Sequence, residues 1–307
     1  MHLSSLRSTT FKMPALAPRI CARFWLVACV MLLASCSSTK MAYELLDWVA
    51  MWKIDRMVPL KSQQRSQVKD DIHAIHEWHR ATQLPRYADY LEDLQKRLDP
   101  VSVTAEQIHA ETDQIQLMVD DILERAIPKA AVTISGLTDE QVAALLENIT
   151  EERQEYIDEN IKPGEKKRRA KSAQEVKDHF RRFLGRLSDE QEKWIDDWSK
   201  QLVPYTELVA EQQILWQEHL AKYLALRENR QLLEQGLHDL MLYRTDDWNA
   251  ELQEAADTNQ VLSYALIAKV LNNASAKQKE HLTKRLDGYI ADFRQLSAKS
   301  APNQATN

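Results

Sequence analysis

Leu137-Thr138-Asp139-Glu140-Gln141-Val142-Ala143-Ala144-Leu145-Leu146 starts a helix and carries the reason it starts there. A threonine hydroxyl just ahead of the first turn accepts from the amide three residues on. A glutamine at that third position reaches back to the threonine's own amide. The preceding leucine suits a hydrophobic staple. The same arrangement returns at Thr104-Ala105-Glu106-Gln107, Ser188-Asp189-Glu190-Gln191 and Ser275-Ala276-Lys277-Gln278, with a degenerate version at Leu60-Lys61-Ser62-Gln63-Gln64. Each such cap stabilises its helix by about 1 kcal/mol. The four full starts lie 34, 50 and 87 residues apart, so no fixed period links them and the chain is not a repeat array.

Between the starts the apolar residues keep helical spacing, as in Val68, Ile72, Ile75 and His79, or Ile115, Met118, Ile122 and Leu123. Good helix formers dominate, and no stretch alternates with period two between turn signals. The pattern predicts an all-α fold, a multi-helix bundle of about 8–10 helices. Pro59 is expected to end a first helix over 41–57, Leu84-Pro85 to break and restart the chain, and Pro128 to close a helix over 104–127. Lys162-Pro163-Gly164 separates helices over 138–160 and 165–186, and Pro204 interrupts the helix that begins at 188.

The N-terminus is of another kind. Residues 1–35 carry Arg7, Lys12, Arg19 and Arg23, no acid, an apolar run from Phe24 to Ala34, and then Leu33-Ala34-Ser35-Cys36. A cationic start, a short apolar stretch and small residues before a cut make a secretory signal; a membrane span needs about 20 apolar residues. The leader starts at Met1 or at Met13. The tetrad resembles the lipobox of bacterial lipoprotein precursors. That resemblance implies cleavage between Ser35 and Cys36 and acylation of Cys36, which tethers the body to a membrane. Ser37 stands where an aspartate would imply retention at the inner membrane, so the resemblance points to the periplasmic face of the outer membrane. The expected organisation is a signal over 1–35, one all-helical domain over 36–296 and a disordered tail over 297–307.

Cys21 and Cys29 leave with the signal, so the mature chain cannot form an internal disulfide and its core must hold it. Losing four leader cations takes the net charge from −6 to −10, which disfavours nucleic acid as a partner.

Two further resemblances bear on function. Leu137-Thr138-x-x-Gln141, and more loosely Leu187-Ser188-x-x-Gln191, resembles the signature of the Spy/CpxP-type periplasmic chaperones, which cradle unfolded clients on a helical surface. A stapled capping box writes the same letters. The N-terminal third, with Tyr43, Asp47-Trp48, Trp52 and Asp55 followed by Trp78-His79-Arg80 and Leu84-Pro85-x-Tyr87, resembles a family of proteobacterial lipoproteins known only as a domain of unknown function. It implies location and fold, and no activity.

Two sites stand out. Tyr43, Trp48, Trp52, Trp78, His79, Arg80 and Tyr87 form the densest aromatic group, suited either to line a groove for a partner or to pack the first helices onto the body. Residues 162–186 carry ten cations against three acids, and 138–160 eight acids against one cation. These helices would pair face to face. The alternative is that Lys166, Lys167, Arg168, Arg169 and Lys171 meet an anionic membrane surface, where each cation contributes about 1 kcal/mol. His73, His76 and His79 recur every three residues but lack the order of a zinc-binding helix, so no metal and no cofactor is expected. Nucleophile elbows and phosphate loops are absent, which argues against an enzyme. The expectation is a lipid-anchored binding or scaffold protein whose partners are the membrane and an envelope protein, with a chaperone for unfolded clients as the alternative.

Overall fold

The computed structural model describes residues 36–98, 102–242 and 248–299. The expected signal over 1–35 and the expected tail from residue 300 onward lie outside them. Among the described residues every regular element is helical. The elements are α1 (Cys36–Glu44), α2 (Leu46–Met57), α3 (Ser62–Trp78), a π-turn (His79–Gln83), α4 (Leu84–Leu98), α5 (Ala105–Ser135), α6 (Asp139–Asn160), α7 (Glu165–Leu184), α8 (Asp189–Gln201), α9 (Thr206–Ala225), α10 (Arg230–Leu242), α11 (Ala250–Asn272) and α12 (Ala276–Ala298). The protein is an all-α multi-helix bundle. Helix α12 runs two residues into the stretch expected to fray.

All four full caps form. The Ser or Thr oxygen accepts from the third helical amide at 3.1–3.3 Å, and the glutamine Oε1 takes the cap amide at 2.8–3.0 Å. At Lys61 only the glutamine half exists, because an ammonium has no acceptor to offer: Lys61 N–H donates to Gln64 Oε1 at 2.8 Å.

The glutamines then do something the local pattern does not show. Gln191 and Gln278 face each other as a reciprocal amide pair (2.8 and 3.2 Å), and Gln278 Nε2 also donates to the Arg186 carbonyl at 2.9 Å. Gln64 and Gln141 repeat the pair (2.8 and 3.2 Å), with Gln141 Nε2 on the Pro59 carbonyl and Gln64 Nε2 on that of Gly136. Helix N-termini far apart in sequence are thus clasped in twos through buried amides whose polar atoms are satisfied. Two asparagines of α11 act on loops in the same spirit. Asn272 takes both the N–H and the C=O of Val103, and Asn259 both those of Val203, all at 2.7–2.8 Å.

Two expected breaks do not occur. Pro128 sits inside α5, a helix of 31 residues and about 46 Å. A proline there costs about 3 kcal/mol. Its neighbours Ile127 and Ala131, 1% and 0% exposed, are sealed in a core shared with α9 and α10, and that packing carries the helix through. Pro85 does not restart the chain either. The π-turn ahead of it widens the helix, with Leu84 N–H donating to His79 O five residues back, so the ring is admitted without ending the rod.

The apolar interior falls into three clusters. One joins α7, α8 and α11 around Leu184, Ile195, Trp198 and Val270. A second joins α5, α9 and α10 around Ile127, Leu224 and Leu233. The third joins α1, α4 and α12 around Tyr43, Leu84, Phe293 and Leu296. In the second cluster Gly236 lies against the Tyr223 ring, where any Cβ would collide. Helices α6 and α7 do not form the expected charge-paired hairpin. Gly164, at φ 81°, turns the chain so that acidic α6 packs on α9 and α2 while basic α7 packs on α8 and α12. The cations of α7 find acids there instead: Lys177 meets Asp196 at 2.7 Å and Arg181 meets Glu192 at 2.6 Å.

Candidate functional site

The first helices join the body through polar side chains. Tyr43 is 5% exposed and enters the third cluster beside Leu84 and Phe293. Its hydroxyl lies 2.9 Å from His79 Nδ1, and the ring planes form a chain from Tyr43 through His79 and Tyr87 to Phe293, with centroids 5.4–6.2 Å apart. Arg80 stacks its guanidinium 5.3 Å over the Tyr43 ring and forks onto Glu44 at 2.8 and 3.3 Å. Lys299 reaches the same carboxylate at 2.8 Å. One turn on, Asp47 receives His73 at 3.1 Å, and buried His76 Nδ1 lies 2.5 Å from it, close enough for an ion pair although not aligned as a hydrogen bond.

Burial sets the protonation of this group. Desolvation, helped by the neighbouring His76, holds the His79 imidazole down at about 4. It stays neutral and Nδ1 accepts from Tyr43, whose phenol burial pushes up out of reach of titration. Hydrogen bonds from Arg80 and then Lys299 hold Glu44 down at about 2. The linkage for His79 has a definite sign. Its folded value lies below the ordinary imidazole range, so an unfolded chain takes the proton first. Stability is full above about pH 6.5 and is lost as pH falls toward 4. His79 is expected to remove about 2 kcal/mol between pH 7 and pH 5. In His79→Gln that part of the loss should vanish, read as the urea midpoint at the two pH values.

The aromatic group of the sequence therefore divides. Tyr43, His79, Arg80 and Tyr87 come together inside. Trp78 is half-buried under Arg125, 5.6 Å away, and Trp52 under Arg56, 5.1 Å away. Trp48 is 65% exposed. His73 and His76 meet Asp47 while His79 meets Tyr43, and among the described residues no group of three or more His, Cys, Asp or Glu is placed to hold a metal ion. Glu44 and Lys299 are central to the junction, yet single residues of common type at those positions stand out by no local signal.

The basic segment also divides. Arg168 donates to the Ile161 carbonyl at 3.1 Å and Arg169 to those of Ser199 and Leu202 at 2.5 and 2.9 Å, so both close the C-terminal ends of α6 and α8, where cations suit the helix dipole. Lys171 touches Asn160 at 3.3 Å, and Lys166 and Lys167 are exposed.

Comparison with known families matches residues 56–253 to a family of unknown function, DUF6279. That span is well over half of the 307 residues. The chain belongs to DUF6279. No curated protein and no solved structure matches it. The DUF6279 span takes in Trp78, His79, Arg80, Tyr87 and the whole basic segment, and begins after Tyr43, Trp48 and Trp52. The fold reaches past both ends of the DUF6279 match. Helix α12 packs along α4 and α1, and its Gln278 completes the clasp with Gln191. Among the described residues no helix is long and apolar enough to cross a membrane.

Proposed function

We propose that this protein is a lipid-anchored envelope protein that works by binding, as a scaffold on the periplasmic face of the outer membrane, and not by catalysis. The observation that carries the reading is the mount at its N-terminus. Helix α1 opens at Cys36, the residue the lipobox marks for acylation, and is fixed to the body within a turn by Lys40 on Asp292 (3.4 Å) and then by Tyr43 in the core. An acyl group on Cys36 would hold the body at a set distance and angle, which serves presentation of a surface rather than diffusion to a substrate. The titratable groups of the junction pair with one another, Arg80 with Glu44 and His73 with Asp47, while Met41, Leu45 and Trp48 beside them are exposed. Density-gradient fractionation of cells tests the anchor: the protein should travel with outer membrane, and recovery in the soluble periplasmic fraction would refute the reading.

A second reading, a chaperone for unfolded clients, has the paired Thr/Ser-x-x-Gln starts in its favour. It also has a shallow groove of about 280 Å³ between α6 and α9, lined by Leu146, Ile214 and Ala221. Under it the lipid-free body suppresses aggregation of an unfolded test protein at near-stoichiometric ratio, and no suppression at several-fold excess would remove it.

A further inference from the structure

The segment from α1 into α2 is amphipathic in the reverse of the usual sense. Leu45 N–H donates to Met41 O (3.2 Å) and Val49 N–H to Leu45 O (3.0 Å), so the helical ladder continues through the junction between the two helices. On this rod Lys40, Tyr43, Glu44 and Asp47 make the contacts with the body, to Asp292, His79, Arg80 and His76; Tyr43 is buried, while the three charged side chains stay 28–39% exposed. Met41, Leu45 and Trp48 share the other face and are 65%, 49% and 65% exposed. Elsewhere among the described residues no stretch as short gathers more than two exposed large apolar side chains. Water disfavours this arrangement, because exposing Met, Leu and Trp forgoes the gain of removing them from water. The arrangement is favourable where the outer medium is itself apolar at the right depth.

We infer that the Met41, Leu45 and Trp48 face is a membrane-contacting surface that lies in the headgroup region of a phospholipid bilayer. This rests on the reading of Cys36 as the acylated residue, which also supplies the reason for choosing a bilayer over another occupant. At 1.5 Å per residue Met41 lies about 8 Å and Trp48 about 18 Å along the helix from Cys36. Acyl chains that enter a leaflet at Cys36 bring those side chains to its surface if the rod lies flat. An apolar face sunk about 5–10 Å into the headgroup boundary is the geometry of interfacial helices. A tryptophan suits the outer end, since its ring is apolar and its N–H can meet headgroups. The acylated cysteine and the face then bind together, the first fixing position and the second fixing tilt.

The test uses the purified full-length protein in vesicles of phosphatidylethanolamine and phosphatidylglycerol containing bromine-labelled acyl chains. Bromine quenches tryptophan only within contact range. A quenched share of the fluorescence is expected, and it should disappear in Trp48→Phe and in Met41→Ser/Leu45→Ser/Trp48→Ser, whose substitutions are at exposed positions and leave circular dichroism unchanged. Equal quenching in wild type and Trp48→Phe overturns the inference. So does shielding of Trp48 that grows with protein concentration in the absence of vesicles, which would make the face a contact between copies. Intact mass of the same preparation reads the acyl group separately. An unacylated protein whose Trp48 is still quenched removes the reading of Cys36 and leaves the face standing. An unacylated protein with no quenching removes both.

Discussion

A chain carrying Gln191→Ala is expected to lose about 2–4 kcal/mol of stability, more than any single helix cap contributes. The side chain is 2% exposed and serves two purposes with one amide. Its Oε1 accepts the Ser188 cap amide at 3.0 Å and the Gln278 Nε2 at 2.8 Å, while its own Nε2 donates to Gln278 Oε1 at 3.2 Å. Alanine removes all three bonds, leaves the Ser188 N–H without its partner and opens a void where α8 meets α12. Ser188→Ala is the control. It deletes the other half of the same cap, leaves the clasp intact and should cost only about 1 kcal/mol. Urea midpoints of the two variants separate the contributions. Equal losses would mean that the clasp between distant helix starts adds nothing beyond ordinary capping.

Cys36→Ser is expected to have the largest effect in cells. The thiolate is the nucleophile that takes up a lipid, and a serine hydroxyl at the same place is a far weaker one. Each buried methylene of an acyl chain contributes about 0.8 kcal/mol, so an anchor of two or more chains is stable and its loss is complete. Incorporation of labelled palmitate should fall to background, the leader should stay attached, and the protein should leave the outer-membrane fraction. Labelling and fractionation that match wild type would remove the anchored scaffold altogether.

How much of this was legible beforehand follows from the range of each interaction. The caps at Thr104, Thr138, Ser188 and Ser275 are contacts within four residues, so the letters sufficed, and with the helical period they gave the all-α class. Pro85 and Pro128 misled because their penalties are local while what offsets them, a π-turn in one case and the burial of Ile127 and Ala131 in the other, depends on tertiary packing. The charge blocks of α6 and α7 suggested each other as partners. Attraction between exposed ions is too weak, about 0–1 kcal/mol a pair, to direct helix packing against apolar burial. The pairing of Gln64 with Gln141 and of Gln191 with Gln278 spans 77 and 87 residues, and no periodicity announces it.

The junction shows a subtler limit. Trp48 falls within the helix expected over 41–57, but helical period alone does not say which medium its face meets. Apolar residues at positions 41, 45 and 48 are read as core by default. Here the core took the other side, because Tyr43 could bring its ring and hydroxyl to His79 and because Arg80 could pair with Glu44 while His76 lay against Asp47.

The most direct test of the proposed anchor is the intact mass of the protein purified from cells, with the N-terminal peptide fragmented. A chain that begins at Cys36 and carries a diacylglycerol and a further acyl group is the expected result. A chain that begins at Met1 or Met13, or at Cys36 with a bare thiol, would contradict it.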